Sequence, residues 1–168
     1  MIALALLLRP ELIILDEPTT ALDALTQRQI LDLVKEIRDK YDTSIILITH
    51  DLSVIADTAD KVLVLYSGVP MEEGTTDEIF YEPLSPYTQM LIDSFPMIGR
   101  VVKAKSQMLK TPSSEGCPFA TNCPFATQAC LGAEMSLRPV QGGHLSSCIH
   151  ADRLLAMVRE QGSRGENS

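Results

Sequence analysis

Ile13-Ile14-Leu15-Asp16-Glu17-Pro18-Thr19-Thr20-Ala21-Leu22-Asp23 joins a short apolar run to two adjacent carboxylates and closes on a third acid. The continuous apolar run Leu12–Leu15 suits a strand buried on both faces. In open α/β sheets, reactive groups gather at the carboxyl ends of strands, and Asp16 and Glu17 fall at such an end. One carboxylate beside a nucleotide can hold Mg2+ through water, while the next orients or deprotonates a water for in-line attack on a terminal phosphate. An ordinary acidic turn after a strand would look the same, so the surrounding segments decide.

Working downstream, Ile30, Leu33, Val34 and Ile37 recur at helical spacing between about Leu25 and Lys40. Ser44–Thr49, SIILIT, reads as a second buried strand, and it ends in His50. Asp51–Ala59 reads as a short helix, and Lys61–Tyr66, KVLVLY, as a third strand broken by Gly68. Strand, helix, strand, helix, strand at this spacing predicts a parallel sheet with right-handed crossovers. Neighbouring parallel strands would set His50 beside Glu17, where it could donate to a phosphate oxygen. Asp23 would lie in the turn before the first of these helices. Glu72-Glu73-Gly74 then reads as a turn, and residues 76–95 as two short helices around Pro83-Leu84-Ser85-Pro86. Upstream, residues 1–9 read as the last turns of a helix apolar on nearly every face, ended by Pro10.

Among 168 residues, 45% are hydrophobic and none is Trp, which predicts a sizeable, mainly aliphatic core. The net charge of -8 is concentrated in residues 1–99, and that argues against a nucleic-acid binder. Arg100–Lys110, RVVKAKSQMLK, has four bases and no acid. It reads as a solvated linker, with a membrane surface or acidic partner as the alternative. The longest apolar run, Met1–Leu8, is far short of the roughly 20 residues that span a bilayer. It also lacks the basic flank and cleavage site of a signal peptide. The chain is therefore expected on the cytosolic side, with no direct membrane span. The composition shift places a boundary near residue 100: a first domain 1–99, a cysteine-rich region 100–160 and a disordered polar tail 161–168.

Cys117, Cys123, Cys130 and Cys148 are all the cysteines present, and CPFATN followed by CPFATQ forms a small repeat. Four thiols in a loop-rich cytosolic segment suggest a metal or an iron–sulfur cluster rather than disulfides. Zinc ligand pairs usually stand two to four residues apart and none does here, so a [4Fe–4S] cluster leads, with Zn2+ and plain thiols or disulfides as alternatives. His144 and His150 flank Cys148 and read as surface residues.

With these segments in hand, a resemblance is plain. ILDEPTTALD resembles the Walker B motif and D-loop of ABC-transporter ATPases, and ILITHDL resembles their H-loop. The likeness continues through VLVLYSG, MEEGTTDEIF and SPYTQMLIDSFP, so it covers nearly the whole chain. Within that superfamily the chain is similar to the ATP-binding subunits of oligopeptide/dipeptide importers. These carry a PYT element, here Pro86-Tyr87-Thr88, and a cysteine region, here GCPFATNCPFATQAC. The resemblance implies an α/β, parallel-sheet P-loop NTPase half-domain with a small cysteine-rich C-terminal segment. It implies Asp16 as the Mg2+-associated acid, Glu17 as the water-activating base, Asp23 as the D-loop acid across a dimer interface and His50 as the γ-phosphate sensor. ATP and Mg2+ follow as ligands, and a second ATPase subunit and permease subunits as partners, on the cytosolic face of a prokaryotic membrane. Ser85 stands where relatives often have His, and Pro70 interrupts a segment that usually reads as a strand.

The larger departure is that no G-x-x-x-x-G-K-[ST] loop and no LSGGQ-like signature occur in the sequence. The chain thus reads as the C-terminal half of such a subunit, expected to bind ATP weakly, to turn over none alone and to be poorly soluble. The competing reading, from another class, is a non-catalytic docking or regulatory module that binds metal or an iron–sulfur cluster. A different α/β hydrolase is set aside, because no G-x-S-x-G elbow is present.

Overall fold

The computed structural model describes residues 10–94 and 110–165, with side chains through residue 160. The apolar helix expected over residues 1–9, the boundary near residue 100 and nearly all of the basic linker lie outside the described residues. The chain forms two compact units, Met1–Ala59 and Asp60–Ser168.

The first unit contains β1 (Leu12–Asp16), α1 (Ala24–Tyr41), β2 (Ser44–Ile48) and α2 (Leu52–Thr58). β1 and β2 pair in parallel, from Leu12 opposite Ser44 to Asp16 opposite Ile48. Asp23 caps α1, its carboxylate accepting from the Leu25 and Thr26 amides, and thereby satisfies donors that a helix start leaves open. Arg38 and Lys40 complement the dipole at the other end. The buried stripe of α1 is Leu31, Val34 and Ile37, which share burial with Ile13 and Val54. Leu33, assigned to the stripe from spacing, instead faces solvent at 42% exposure. The strands also differ from the two-sided burial expected of them. Ile13 is buried, whereas Leu12, Ile14, Ile46 and Ile48 keep 47–61% of their surface exposed, so the described residues cover one face of this pair.

The second unit holds β3 (Lys61–Tyr66), β4 (Val69–Thr75), α3 (Thr76–Tyr81), α4 (Pro86–Ser94), a 3-10 turn (Gln128–Gly132), β5 (Arg138–Gln141), β6 (His144–Ser146) and α5 (Ala151–Gly165). Here the sequence reading needs correction. β3, expected as a third parallel strand, pairs among the described residues with β4, antiparallel, in a four-stranded sheet ordered β3-β4-β6-β5. The reason is local. Ser67 and Gly68 both have positive φ, 50° and 78°, as a two-residue type I′ hairpin requires, so the chain turns straight back. Glu72-Glu73-Gly74, read as a turn, lies within β4. Pro70 is accommodated because the register shifts between Val64 and Leu65, leaving Met71 as the bulged residue.

The two helices expected around Pro83-Leu84-Ser85-Pro86 are α3 and α4. A capping box of Thr75 and Glu78 starts α3, and Pro86 opens α4, where its missing amide hydrogen costs nothing. Strands from 69–75 and 144–146 pair directly, so residues on both sides of position 100 share one sheet. α5 continues through Gly165, five residues into the tail expected to be disordered. No described helix is long and apolar enough to cross a membrane.

Candidate functional site

The parallel register of β1 and β2 builds the site in the first unit. Asp16 ends β1 opposite Ile48, and the Glu17 amide continues the ladder by donating to the Ile48 carbonyl at 2.9 Å. His50 follows two residues after Ile48, so the imidazole reaches across: Nδ1 donates to Glu17 Oε1 at 2.7 Å. Thr20 Oγ1 donates to the other oxygen, Oε2, at 2.9 Å. The sequence reading missed Thr20, whose only signal is a hydroxyl three residues past the acid.

Glu17 has φ +45°, an uncommon conformation for a residue with a side chain. Strain of this kind persists where surrounding contacts hold it, and here both carboxylate oxygens are held. The hydrogen bond from His50, then that from Thr20, keeps the Glu17 carboxyl below its usual range. The same bond to Glu17 raises the His50 imidazole. With its side chain 83% exposed, His50 presents its remaining ring edge outward. Each member of the pair thus favours the charged form of the other.

Asp16 is exposed at the strand end. Asp23 lies apart from this pair in its bonding: besides the two α1 amides it accepts from Thr26 Oγ1 at 2.7 Å, which holds its carboxyl low. Asp51, next to His50, plays the same capping part for α2 by accepting from the Ser53 amide and hydroxyl.

In the second unit the four cysteines, all free, line one small cavity together with Met71 and His150. Burial raises the thiols of Cys117, Cys123 and Cys148, the last to about 11. The donor set suits a thiophilic metal or cluster in kind. Yet among the described residues no group of three or more His, Cys, Asp or Glu is arranged to hold a metal ion. Gly116, at φ +63°, lets the chain pass so close that the Cys117 amide bonds the Cys130 carbonyl at 2.8 Å.

The histidines correct the sequence reading. His144 is not a surface residue: it is 2% exposed and donates from Nε2 to the fully buried Glu72 at 2.8 Å. Isolated in sequence, it gave no sign of that partner. His150 is only half-buried, with Nε2 3.5 Å from Cys130 Sγ.

Comparison with known proteins places this architecture. Residues 71–130 match the family described as the oligopeptide/dipeptide transporter, C-terminal region. The chain is 44% identical to the oligopeptide transport ATP-binding protein AppD of Bacillus subtilis, over 89% of this chain and 47% of that protein. It is 43% identical to OppD of Salmonella typhimurium, over 89% of this chain and 46% of OppD. It is 47% identical to the dipeptide transport ATP-binding protein DppD of Bacillus subtilis, over 77% and 40%. The chain is therefore a relative of the oligopeptide/dipeptide transport ATP-binding proteins. It spans about half the length of the curated relatives it matches.

Proposed function

We propose that this chain carries the hydrolytic side of the nucleotide site in an energy-coupling subunit of a peptide importer. The observation that carries the reading is the Glu17–His50 hydrogen bond across the ends of two adjacent parallel strands, directly after Asp16. In this reading ILDEPTTALD is a Walker B motif with its D-loop. Asp16 would be the residue that holds Mg2+, which when bound would neutralise phosphate charge there. Glu17 orients and accepts a proton from the attacking water. His50 donates to a terminal phosphate oxygen once it leaves Glu17, and its departure also frees the carboxylate to act as base. Asp23 faces a second ATPase subunit across a dimer interface.

The 168 residues contain no G-x-x-x-x-G-K-[ST] loop, so the phosphate cradle is supplied by polypeptide outside them. Permease subunits are the further partners, and the assembly sits on the cytosolic face of the membrane. In the second unit, the convergence of four thiols on one cavity supports an iron–sulfur cluster held by Cys117, Cys123, Cys130 and Cys148, with Zn2+ as the competing occupant. A brown protein with matching iron and acid-labile sulfide would support the cluster. A colourless zinc protein would replace it, and metal-free thiols would remove both.

The test of the main reading joins this chain to the part of the ATP-binding protein AppD that the match leaves uncovered, AppD being a relative at 44% identity over 47% of its length. The fusion should hydrolyse ATP, and Glu17→Gln should lower turnover by at least about a hundredfold while leaving ATP binding intact. A fusion that binds ATP but whose turnover does not depend on Glu17 sinks the assignment.

A further inference from the structure

We propose that His144 and Glu72 form a latch that sets where the cysteine-bearing segment docks on β4, and so holds the four thiols around their common cavity. The two residues stand 72 positions apart in sequence, and both are buried, at 2% and 0% exposure. Glu72 Oε1 accepts from His144 Nε2 at 2.8 Å and from the Leu84 amide at 2.7 Å. Its second oxygen has no hydrogen-bond partner among the described residues, so the imidazole supplies one of only two donors that satisfy this carboxylate.

The backbone ladder alone specifies this docking weakly. β4 and β6 share just two paired positions, Glu72 with Ser146 and Glu73 with Leu145. A slip of one residue would turn each side chain of so short a strand to the opposite face, and nothing in a two-pair ladder forbids it. The buried pair does forbid it, since a displaced His144 would strand a carboxylate away from water. Gly74 completes the fit. A Cβ there would lie 2.8 Å from His144 Cδ2, so the imidazole rests where only bare backbone leaves room.

From the latch the register runs directly to the cavity. The Ser147 amide donates to the Met71 carbonyl at 3.0 Å, and Ser147 Oγ to the Pro70 carbonyl at 2.7 Å. Ser146 Oγ accepts from the Cys148 amide at 3.1 Å. Met71 and Cys148 are both walls of the cavity, so its shape depends on β6 holding this position. The latch is independent of what the cysteines bind and of any nucleotide chemistry.

The experiment uses the full chain, reduced and treated with chelator, and follows labelling of its thiols by an aromatic disulfide reagent. His144→Phe keeps a flat ring without the donor, whereas His144→Gln offers an amide nitrogen in place of Nε2. Labelling in the Phe variant should be at least about tenfold faster than in the unmodified chain, and the Gln variant should stay within about threefold, as local opening dictates. Hydrogen exchange in β3 should stay protected in all three. Equal labelling of the Phe variant and the unmodified chain overturns the proposal, as does a Gln variant as fast as Phe. Loss of β3 protection in the Phe variant overturns it too, because His144 would then support the whole sheet rather than the docking of one segment.

Discussion

Glu17 Oε1 and His50 Nδ1 lie 2.7 Å apart, although the two residues follow the ends of different strands and 33 positions separate them in sequence. Each member shifts the other: the bond to His50 lowers Glu17, and the bond to Glu17 raises His50. Glu17→Gln should therefore lower the pH at which His50 titrates, read by NMR from its ring protons. The sign for stability follows. The raised imidazole contributes below its ordinary pKa, and that contribution is lost as pH rises through the folded value. The lowered carboxylate contributes above its ordinary pKa, and that is lost as pH falls through its own folded value. The pair thus stabilises between those limits, and its strength there falls with salt because both groups are exposed. An unchanged His50 titration in Glu17→Gln would refute the coupling.

Asp23 is engaged in starting α1, with bonds to two amides and to the Thr26 hydroxyl. Asp23→Ala should speed hydrogen exchange at the Leu25 and Thr26 amides, while Asp23→Asn, which keeps a capping oxygen, should change it little. A part across a dimer interface adds a second expectation. In the ATP-hydrolysing fusion the Asn variant should lose turnover although its helix start is intact. Full turnover in that variant would confine Asp23 to capping.

The first unit was largely legible because its signals are local. An apolar run ending in acids, a helical stripe and a second run ending in His50 suffice to put Glu17 beside His50. Spacing does not tell which side of a strand is covered: Leu12 and Ile14, expected to be buried, are exposed among the described residues. The second unit was harder to read because its sheet is made by distant pairing. KVLVLY looks alike in a parallel or an antiparallel setting, and the deciding residues, Ser67 and Gly68, occupy two positions of a hairpin. The Glu72–His144 bond has no sequence signal, since a buried hydrogen-bonded pair leaves no periodic trace.

Gly116 and Gly142 both have positive φ, 63° and 54°, but only Gly116 is hemmed in. A Cβ at Gly116 would come 2.4 Å from the Cys130 carbonyl oxygen, whereas one at Gly142 meets nothing within 4 Å. Gly142→Ala should cost about 1–2 kcal/mol, the penalty of a left-handed residue alone. Gly116→Ala must also push two backbone segments apart, so it should exceed that range. It should also abolish protection of the Cys117 amide, which donates to Cys130. Hydrogen exchange at that amide distinguishes the two. Similar exchange in both variants would show that the close approach is not required.

Tyr66, Tyr87 and Phe119 form a ring-on-ring cluster, with centroids 4.6, 5.4 and 5.3 Å apart. It joins β3, the start of α4 and the first of the two Cys-Pro-Phe repeats. Phe119 is 2% exposed, so Phe119→Ala should cost about 3–5 kcal/mol through lost burial and the cavity left behind. Phe119→Leu fills part of that space and should cost less. The chain has no Trp and four Tyr, two of them in this cluster, so tyrosine fluorescence follows urea unfolding, and replacing Tyr41 and Tyr81 by Phe confines the signal to the cluster. A second readout comes from Tyr87, whose phenol is raised by burial and then by Tyr66. Removing the ring that shields it admits water, so its ionisation should move back towards the ordinary tyrosine range in Phe119→Ala. An Ala variant that unfolds within about 1 kcal/mol of the unmodified chain, with Tyr87 still raised, would show that Phe119 does not anchor this segment.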